Sequence, residues 1–373
     1  VTPVAIAGGG LAGAAAAAQL ARAGIATLVL EREKAPRDKI CGEFLSTEAQ
    51  AHLAALGLDL ASLGPTVIRG VRLVAGRQRA EAELPFVALG LSRRRLDAAL
   101  LEHAERLGAK VERGLAVRQV QDGKLETSAG EIAAARLLLA SGKHDIRGAR
   151  RNASRAMTGV LGFKSYFRLG RKATSELEGF VEVALFEGGY AGLQMVEGGL
   201  ANLCLAVRRS AFEAAGQTWP RLLERLLAEP HIARRLEDAE EVSPRPLAVA
   251  DIPYGFTHQD PHEPPGLYRL GDQTAVIPSF CGNGMAIALH SARLAAEAIT
   301  QGADAGAYHA RLRRDVAARV RRAAWLQRRI DAWPGRRAAV FTLGLAPALI
   351  PRLTAWTRIS GQALRRAGLS AYV

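Results

Sequence analysis

The chain has 373 residues, 49% of them hydrophobic and 23% charged, which excludes a disordered or fibrous protein and allows two domains, or one domain with a large insertion. The formal net charge of +14 is mostly arginine, but only 5% of residues are aromatic, which favours a solvated basic surface over a nucleic-acid partner. Three cysteines exclude a disulfide framework and point to a reducing compartment.

Val4-Ala5-Ile6-Ala7 reads as a buried parallel strand, and an alanine-rich helix runs to about Ala23. Between them, Gly8, Gly10 and Gly13 fit G-x-G-x-x-G. Gly8 permits the tight turn, Gly10 lets a pyrophosphate approach the backbone, and Gly13 lets the helix pack on the strand. The pyrophosphate would rest on the N–H groups that open the helix at Leu11 and Ala12, where the helix dipole is positive. A second apolar run, Ala26 to Leu30, ends in Glu31-Arg32, with Glu31 placed to bind ribose hydroxyls. Strand, glycine turn, helix, second strand and acidic end, in that order, predict a dinucleotide site. No basic region precedes the first strand, so no signal peptide is expected and a cytoplasmic location is.

A charged loop follows, then Ile40-Cys41-Gly42-Glu43, then a helix over Thr47 to Leu56 capped by Ser46 or Thr47, with Gln50 as box partner. Val67–Val74 and Ala80–Leu84 have strand character. The next helix opens at Gly90-Leu91-Ser92-Arg93, and Leu96, Leu100, Leu101 and Ala104 share one face. Short strands surround the Asp122-Gly123 turn, and Arg136 to Ala140 is an apolar, central parallel strand. From about Thr158 to Val207 the pattern becomes long strands parted by glycine (160–167, 180–186, 190–196 and 201–207), an antiparallel sheet. Alternation puts Tyr190, Gly192 and Gln194 on one face of it, and Cys204 reads as core. A helix from about Trp219 to Leu227 follows, and a short strand from Leu267 to Leu270 ends at Gly271-Asp272. A helix spans about Gly284 to Ile299, and the remainder is helical, broken by Pro334, Pro347 and Pro351. The apolar stretch Ala338 to Ile350 is too short to span a bilayer. His258 and His262 flank Pro261 in a loop, so no metal site is expected.

Three stretches together resemble the FAD-dependent oxidoreductases that include aromatic hydroxylases, geranylgeranyl reductases and flavin-dependent halogenases. They are Gly8 to Arg32; Ser92-Arg93-Arg94-Arg95-Leu96-Asp97; and Arg269 to Met285, with Gly271-Asp272, Pro278 and Gly282-Asn283-Gly284. The resemblance implies an α/β fold. A Rossmann-type FAD-binding domain (1–65, 91–157 and 246–302) would carry an inserted antiparallel β-sheet substrate domain (66–90 and 158–245) and a helical C-terminal region (303–373).

It implies FAD held by Gly8, Gly10, Leu11, Ala12, Gly13, Glu31, Arg32, Cys41, Gly42, Arg93, Gly271, Asp272, Pro278, Gly282, Asn283, Gly284 and Met285. NADPH or NADH is the implied donor, although the family's usual Ala-Asp-Gly reads Ala140-Ser141-Gly142 here. Asp272 can accept hydrogen bonds from a ribityl hydroxyl, and the helix opening at Gly284 can stabilise a reduced flavin. Cys41-Gly42-Glu43 resembles segments that approach the flavin in both the reductases and the halogenases. It makes Cys41 a redox or proton-handling thiol and Glu43 an acid or base, against the alternative of a packed thiol and an ion-pair partner. Cys281, beside Gly282, is expected near the ring, and Tyr190 and Gln194 in the substrate pocket.

The expected reaction is monooxygenation of a hydrophobic, aromatic or polyketide-like molecule. The rivals are carbon–carbon double-bond reduction as in geranylgeranyl reductases, or a non-catalytic flavoprotein. Halogenation is disfavoured, because no tryptophan lies in a Trp-x-Trp-x-Ile-Pro segment. The arginine-rich C-terminal helices either offer a peripheral membrane contact or pack on the FAD domain.

Overall fold

Two sheets and a layer of helices between and around them make up the computed structural model, which describes residues 2–121, 123–332 and 335–370. Asp122 of the expected turn and the break at Pro334 lie outside those residues. In the first sheet Thr2–Ala7 is central, hydrogen-bonded in parallel to Thr27–Glu31 on one side and to Gly130–Leu139 on the other. Lys110–Arg113 extends one edge, and Leu267–Arg269 joins the far side of Gly130–Leu139. The carboxyl ends of these parallel strands therefore point together at Gly8, Glu31, Ala140 and Gly271, the place where open α/β sheets bind ligands. Gly130–Leu139 is longer than the apolar run at 136–140. Its first half alternates in exposure and pairs antiparallel with Lys124–Thr127, so hydropathy alone does not mark it.

The helix Leu11–Arg22 is buried almost all round. Alanine from 14 to 18 gives it a thin profile, so the helices Arg93–Arg106 and Gly284–Thr300 approach it closely in one large core. Leu96, Leu100, Leu101 and Ala104 face that core, as their spacing predicts. Ser92 caps its helix by accepting from Arg95 N–H, and Ser46 caps Thr47–Leu56 through Ala49 N–H. Gln50 does not close a capping box. With Ser46 at the cap it lies one residue too far along, and its amide donates to Leu45 and Val87 carbonyls.

The second sheet runs, in spatial order, Glu240–Glu241, Val160–Arg168, Leu200–Arg208, Gly189–Val196, Gly179–Phe186, Thr66–Ala75, Gln78–Gly90 and Phe44–Leu45. It is antiparallel except between Gly179–Phe186 and Thr66–Ala75, which come from separate segments and run parallel. One face is sealed where Phe163, Phe167 and Leu203 pack under the short helices Arg171–Leu177, Arg209–Ala214, Trp219–Leu226 and Pro230–Leu236, Leu222 of the third among them. The other face, bearing Lys164, Tyr166, Tyr190, Gln194 and Asn202, looks toward the first sheet. Phe44–Leu45 ties the Cys41-Gly42-Glu43 segment to this sheet's edge. Near the C-terminus, the buried pair Arg358–Glu48 fastens the last helices to Thr47–Leu56.

Glu263 braces the loop before Leu267–Arg269, 2.7 Å from His258 Nε2 and 2.6 Å from Arg269 Nε. Burial pushes its carboxyl up, but the hydrogen bonds from His258 and Arg269 outweigh this and bring it down to about 2. A depressed carboxylate contributes stability above its unfolded value near 4.5 and loses it as pH falls through about 2. Urea unfolding of the wild type should therefore lose about 3 kcal/mol across that window. Glu263→Gln should flatten that stretch of the pH profile; an unchanged profile would remove Glu263 from the account.

Candidate active site

One continuous cavity of about 570 Å³ lies between the sheets and touches nearly every element predicted to hold a ligand. At one end are Gly8, Gly10, Leu11 and Ala12, with Glu31, Arg32 and Arg93 around them; at the other are Gly282, Gly284 and Met285. Cys41, Gly42, Gly271 and Asp272 line the stretch between.

The pyrophosphate end is built by sterics and open donors. Gly8 has φ +111°, and a Cβ there would lie 2.5 Å from the Ala140 carbonyl oxygen. At Gly13 a Cβ would come within 1.9 Å of the Gly8 oxygen, so only glycine lets helix and strand meet. The first helical hydrogen bond is Ala14 N–H to Gly10 O, with no side-chain cap, which leaves the N–H groups of Leu11, Ala12 and Gly13 for a ligand. Space in front of Gly10 is bounded by Lys39 Nζ, with Asp97 and Arg93 behind it. Arg93 bonds both Asp97 oxygens, at 2.8 and 2.9 Å, and Lys39 bonds the same carboxylate. Burial disfavours the Arg93 charge, but Asp97 and then Cys41 hold the guanidinium firmly protonated.

Glu31 accepts from Gly9 N–H and Glu33 N–H, one on each oxygen, which leaves a second acceptor direction on both for a ribose. Arg32 contacts Glu33 and His144. Asp272 pairs with Lys143 at 2.8 Å; burial raises its carboxyl, but Lys143, then Arg151 and Arg93, bring it below the ordinary range. The helix Gly284–Thr300 has no side-chain cap, and nothing lies within 4 Å of where a Gly284 Cβ would be. Two open helix N-termini, an acidic strand end and a glycine-walled channel between them fit FAD. Asn283 and Pro278 stand behind this channel: Asn283 Nδ2 donates to the Thr357 carbonyl, and Pro278 starts the turn Ser279–Cys281. Cys281 is packed in the main core and Cys204 borders the cavity; burial pushes both thiols up to about 12.

Glu43 adopts φ +60°, a left-handed conformation that is costly for a residue with a Cβ and persists only where neighbours impose it. Here they do. Leu91 N–H and Gln194 Nε2 hold its carbonyl, its N–H points at Cys41 Sγ at 3.3 Å, and Arg93 N–H donates to Oε1 at 2.7 Å. Lys164 Nζ reaches Oε1 at 2.5 Å, and Tyr166 Oη bonds both oxygens and Asp38. Lys164 also holds the Lys39 carbonyl, and Asn202 the Cys41 carbonyl. Burial raises the Glu43 carboxyl, opposed chiefly by Lys164. Both side chains of the Glu43–Lys164 pair are fully buried, so Glu43 borders the cavity with its carboxylate taken up by this network.

Tyr190 and Gln194, by contrast, are buried behind the cavity wall. Tyr190 Oη bonds Ser279 Oγ, which does line the cavity, and Gln194 clamps Glu43. Lys164, Tyr166 and Asn202 had escaped sequence reasoning. Their signal is the polar residues at every second position of an otherwise apolar strand pair, with Lys164 opposite Cys204 and Tyr166 opposite Asn202.

Residues 1–136 match the family model described as FAD binding domain. A menaquinone reductase of Mycolicibacterium smegmatis is 28% identical over 319 residues, covering 80% of this chain and 76% of that protein. Among solved structures, the flavin-dependent brominase Bmp2 superposes with a TM-score of 0.77 at 18% identity, over 100% of this chain and 98% of that one. The halogenase PltM, in complex with phloroglucinol and FAD, gives 0.74 at 16% identity, over 100% of this chain and 85% of that one. At such identities the structural likeness is one of fold. Residues 1–136 are thus an FAD binding domain, and with the likeness to a menaquinone reductase they make the chain an FAD-dependent oxidoreductase.

Proposed function

We propose that this protein is a reductase that saturates a carbon–carbon double bond in a long hydrophobic molecule, such as a polyprenylated quinone, with NADH or NADPH as electron donor. The observation that carries the reading is the cavity wall away from the cofactor cradle, where Leu247, Val249, Ile252, Tyr254, Val276 and Ile277 offer an apolar surface. The extended similarity to a menaquinone reductase supports it over monooxygenation. Halogenation fares worse: the lysines around the cavity, Lys39, Lys143 and Lys164, are all in ion pairs.

FAD, when bound and reduced by NADH or NADPH, would supply the hydride that the double bond accepts. The second hydrogen arrives as a proton, and Cys41 is our candidate donor. Its thiol lies at the cavity wall, beside Glu43 N–H and within hydrogen-bonding reach of the Arg93 guanidinium, which stabilises the sulfur once the proton has left. Solvent then returns the proton. Glu43, Lys164, Gln194 and Asn202 act as positioning residues that hold the Cys41 backbone.

The test is anaerobic. Flavin reduced by NAD(P)H should be reoxidised by a polyprenylated quinone, with two hydrogens gained by the isoprenoid chain. Cys41→Ala should keep flavin reduction but lose turnover by roughly a hundredfold. Oxygen-dependent NAD(P)H consumption with oxygen incorporated into product would instead establish the monooxygenase.

A further inference from the structure

We infer that the C-terminal helices seat this protein on the surface of an anionic lipid bilayer, an inference independent of the reaction proposed above. Of the ten large apolar side chains exposed among the described residues, six (Trp325, Phe341, Leu345, Leu349, Leu353 and Trp356) fall in one stretch of about thirty residues. Leu345 is 73% and Phe341 53% exposed. They lie on Arg336–Leu345 and Leu349–Trp356 and on the end of Ala305–Ala332.

The short helices have two apolar faces. The inner one is satisfied: Val340 and Ile350 pack on Val71, Ala75 and Ala80 of the second sheet. Among the described residues the outer one has no cover. No single helix among the described residues is long and apolar enough to cross a membrane, and Arg336–Leu345 and the helical stretch Leu349–Arg366 bend by 113° at their break, a geometry suited to lying in an interface.

Charge selects the occupant. Residues 316–373 contain eleven arginines, no lysine and a single carboxylate, Asp331. The arginines flank the apolar side chains. Arg322 lies over the Trp356 ring at 5.1 Å, Arg329 over Trp325 at 5.4 Å, and the two tryptophans meet edge to face. An apolar face with a tryptophan–arginine rim and almost no acidic groups complements acyl chains below anionic headgroups; a second copy of this chain would bring eleven more like charges. The anchor also adjoins the site. Leu73, Val181 and Leu185 pack both beneath these helices and in the cluster that contains Ile252, Tyr254 and Val276 of the cavity wall.

Flavin-loaded full-length protein should sediment with vesicles of phosphatidylglycerol and phosphatidylcholine, and far less with phosphatidylcholine alone. Binding should weaken with salt. Replacing Phe341, Leu345, Leu349 and Leu353 together with serine should abolish sedimentation and leave flavin content and oligomeric state unchanged. Arg321→Gln, Arg328→Gln, Arg337→Gln and Arg352→Gln combined should reduce affinity for anionic vesicles by roughly a hundredfold or more. The proposal is overturned if the wild type stays in the supernatant or binds neutral vesicles equally well. It also fails if light scattering shows a dimer that the serine variant disrupts, since a second copy would then be the occupant.

Discussion

Gly10→Val is expected to give a folded protein that purifies without FAD and binds added FAD at least a hundredfold more weakly, about 2.8 kcal/mol. The reasoning separates what the fold needs from what the ligand needs. Gly10 sits at the helix cap with φ −73° and ψ −173°, a conformation open to any L-residue. The one tight approach of a Cβ added there is to the end of a flexible chain, Lys39 Nζ at 3.0 Å, which can swing aside; Asp97 Oδ2 and the Arg93 guanidinium lie at ordinary contact distance, 3.7 and 3.9 Å. The rest of a valine side chain would stand over the open N–H groups of Leu11 and Ala12, which a pyrophosphate must approach. Gly13 is the contrasting case. Its Cβ would meet backbone oxygen at 1.9 Å, so Gly13→Val must push the helix off the strand and should damage the fold itself, by several kcal/mol or to insolubility. Flavin absorbance per protein, an FAD titration and far-UV circular dichroism distinguish the two variants. Full flavin occupancy in Gly10→Val would remove the cofactor from this turn.

That division mirrors how much of the molecule was readable from residues alone. Signals carried by neighbours in sequence came through: the glycine spacing, the apolar runs of the parallel strands, and the inward face Leu96–Leu100–Leu101–Ala104. The short helices Arg171–Leu177, Arg209–Ala214 and Pro230–Leu236 did not, because two turns or fewer give too little periodicity. The harder loss was in the site. Glu43 was singled out from its motif, but the residues that govern it, Lys164, Tyr166, Gln194 and Asn202, lie 121 to 159 positions away. What brings them together is the pairing of Val160–Arg168, Leu200–Arg208 and Gly189–Val196, a tertiary fact. Tyr190 and Gln194 share the face predicted for them, yet alternation specifies a face and not depth, and both lie one layer behind the cavity.

The buried Glu43–Lys164 pair yields the second large effect. Lys164→Met should destabilise the FAD-saturated protein by about 3–5 kcal/mol near pH 8, because the carboxylate left behind is fully buried, held at φ +60° and unable to turn to water. Its cost should shrink in acid. Glu43 has a folded pKa above its unfolded value, so its contribution to stability is complete below that unfolded value and is lost as pH rises through the folded one. Removing Lys164 takes away the chief influence that lowers the folded value, so the variant should lose more stability than the wild type between pH 5 and pH 8. Glu43→Gln fails in the complementary way, since it strands the ammonium with only the Lys39 carbonyl, Tyr166 and an amide oxygen. The double variant Glu43→Gln/Lys164→Met buries no charge at this point and should be more stable than the sum of the singles predicts, with a coupling of about 1–3 kcal/mol. Urea unfolding of the four proteins at pH 5 and pH 8 reads both effects. Strict additivity, or a Lys164→Met penalty that ignores pH, would mean that the two groups do not act as a pair, and that Glu43 owes its conformation to Gln194, Leu91 and Arg93 alone.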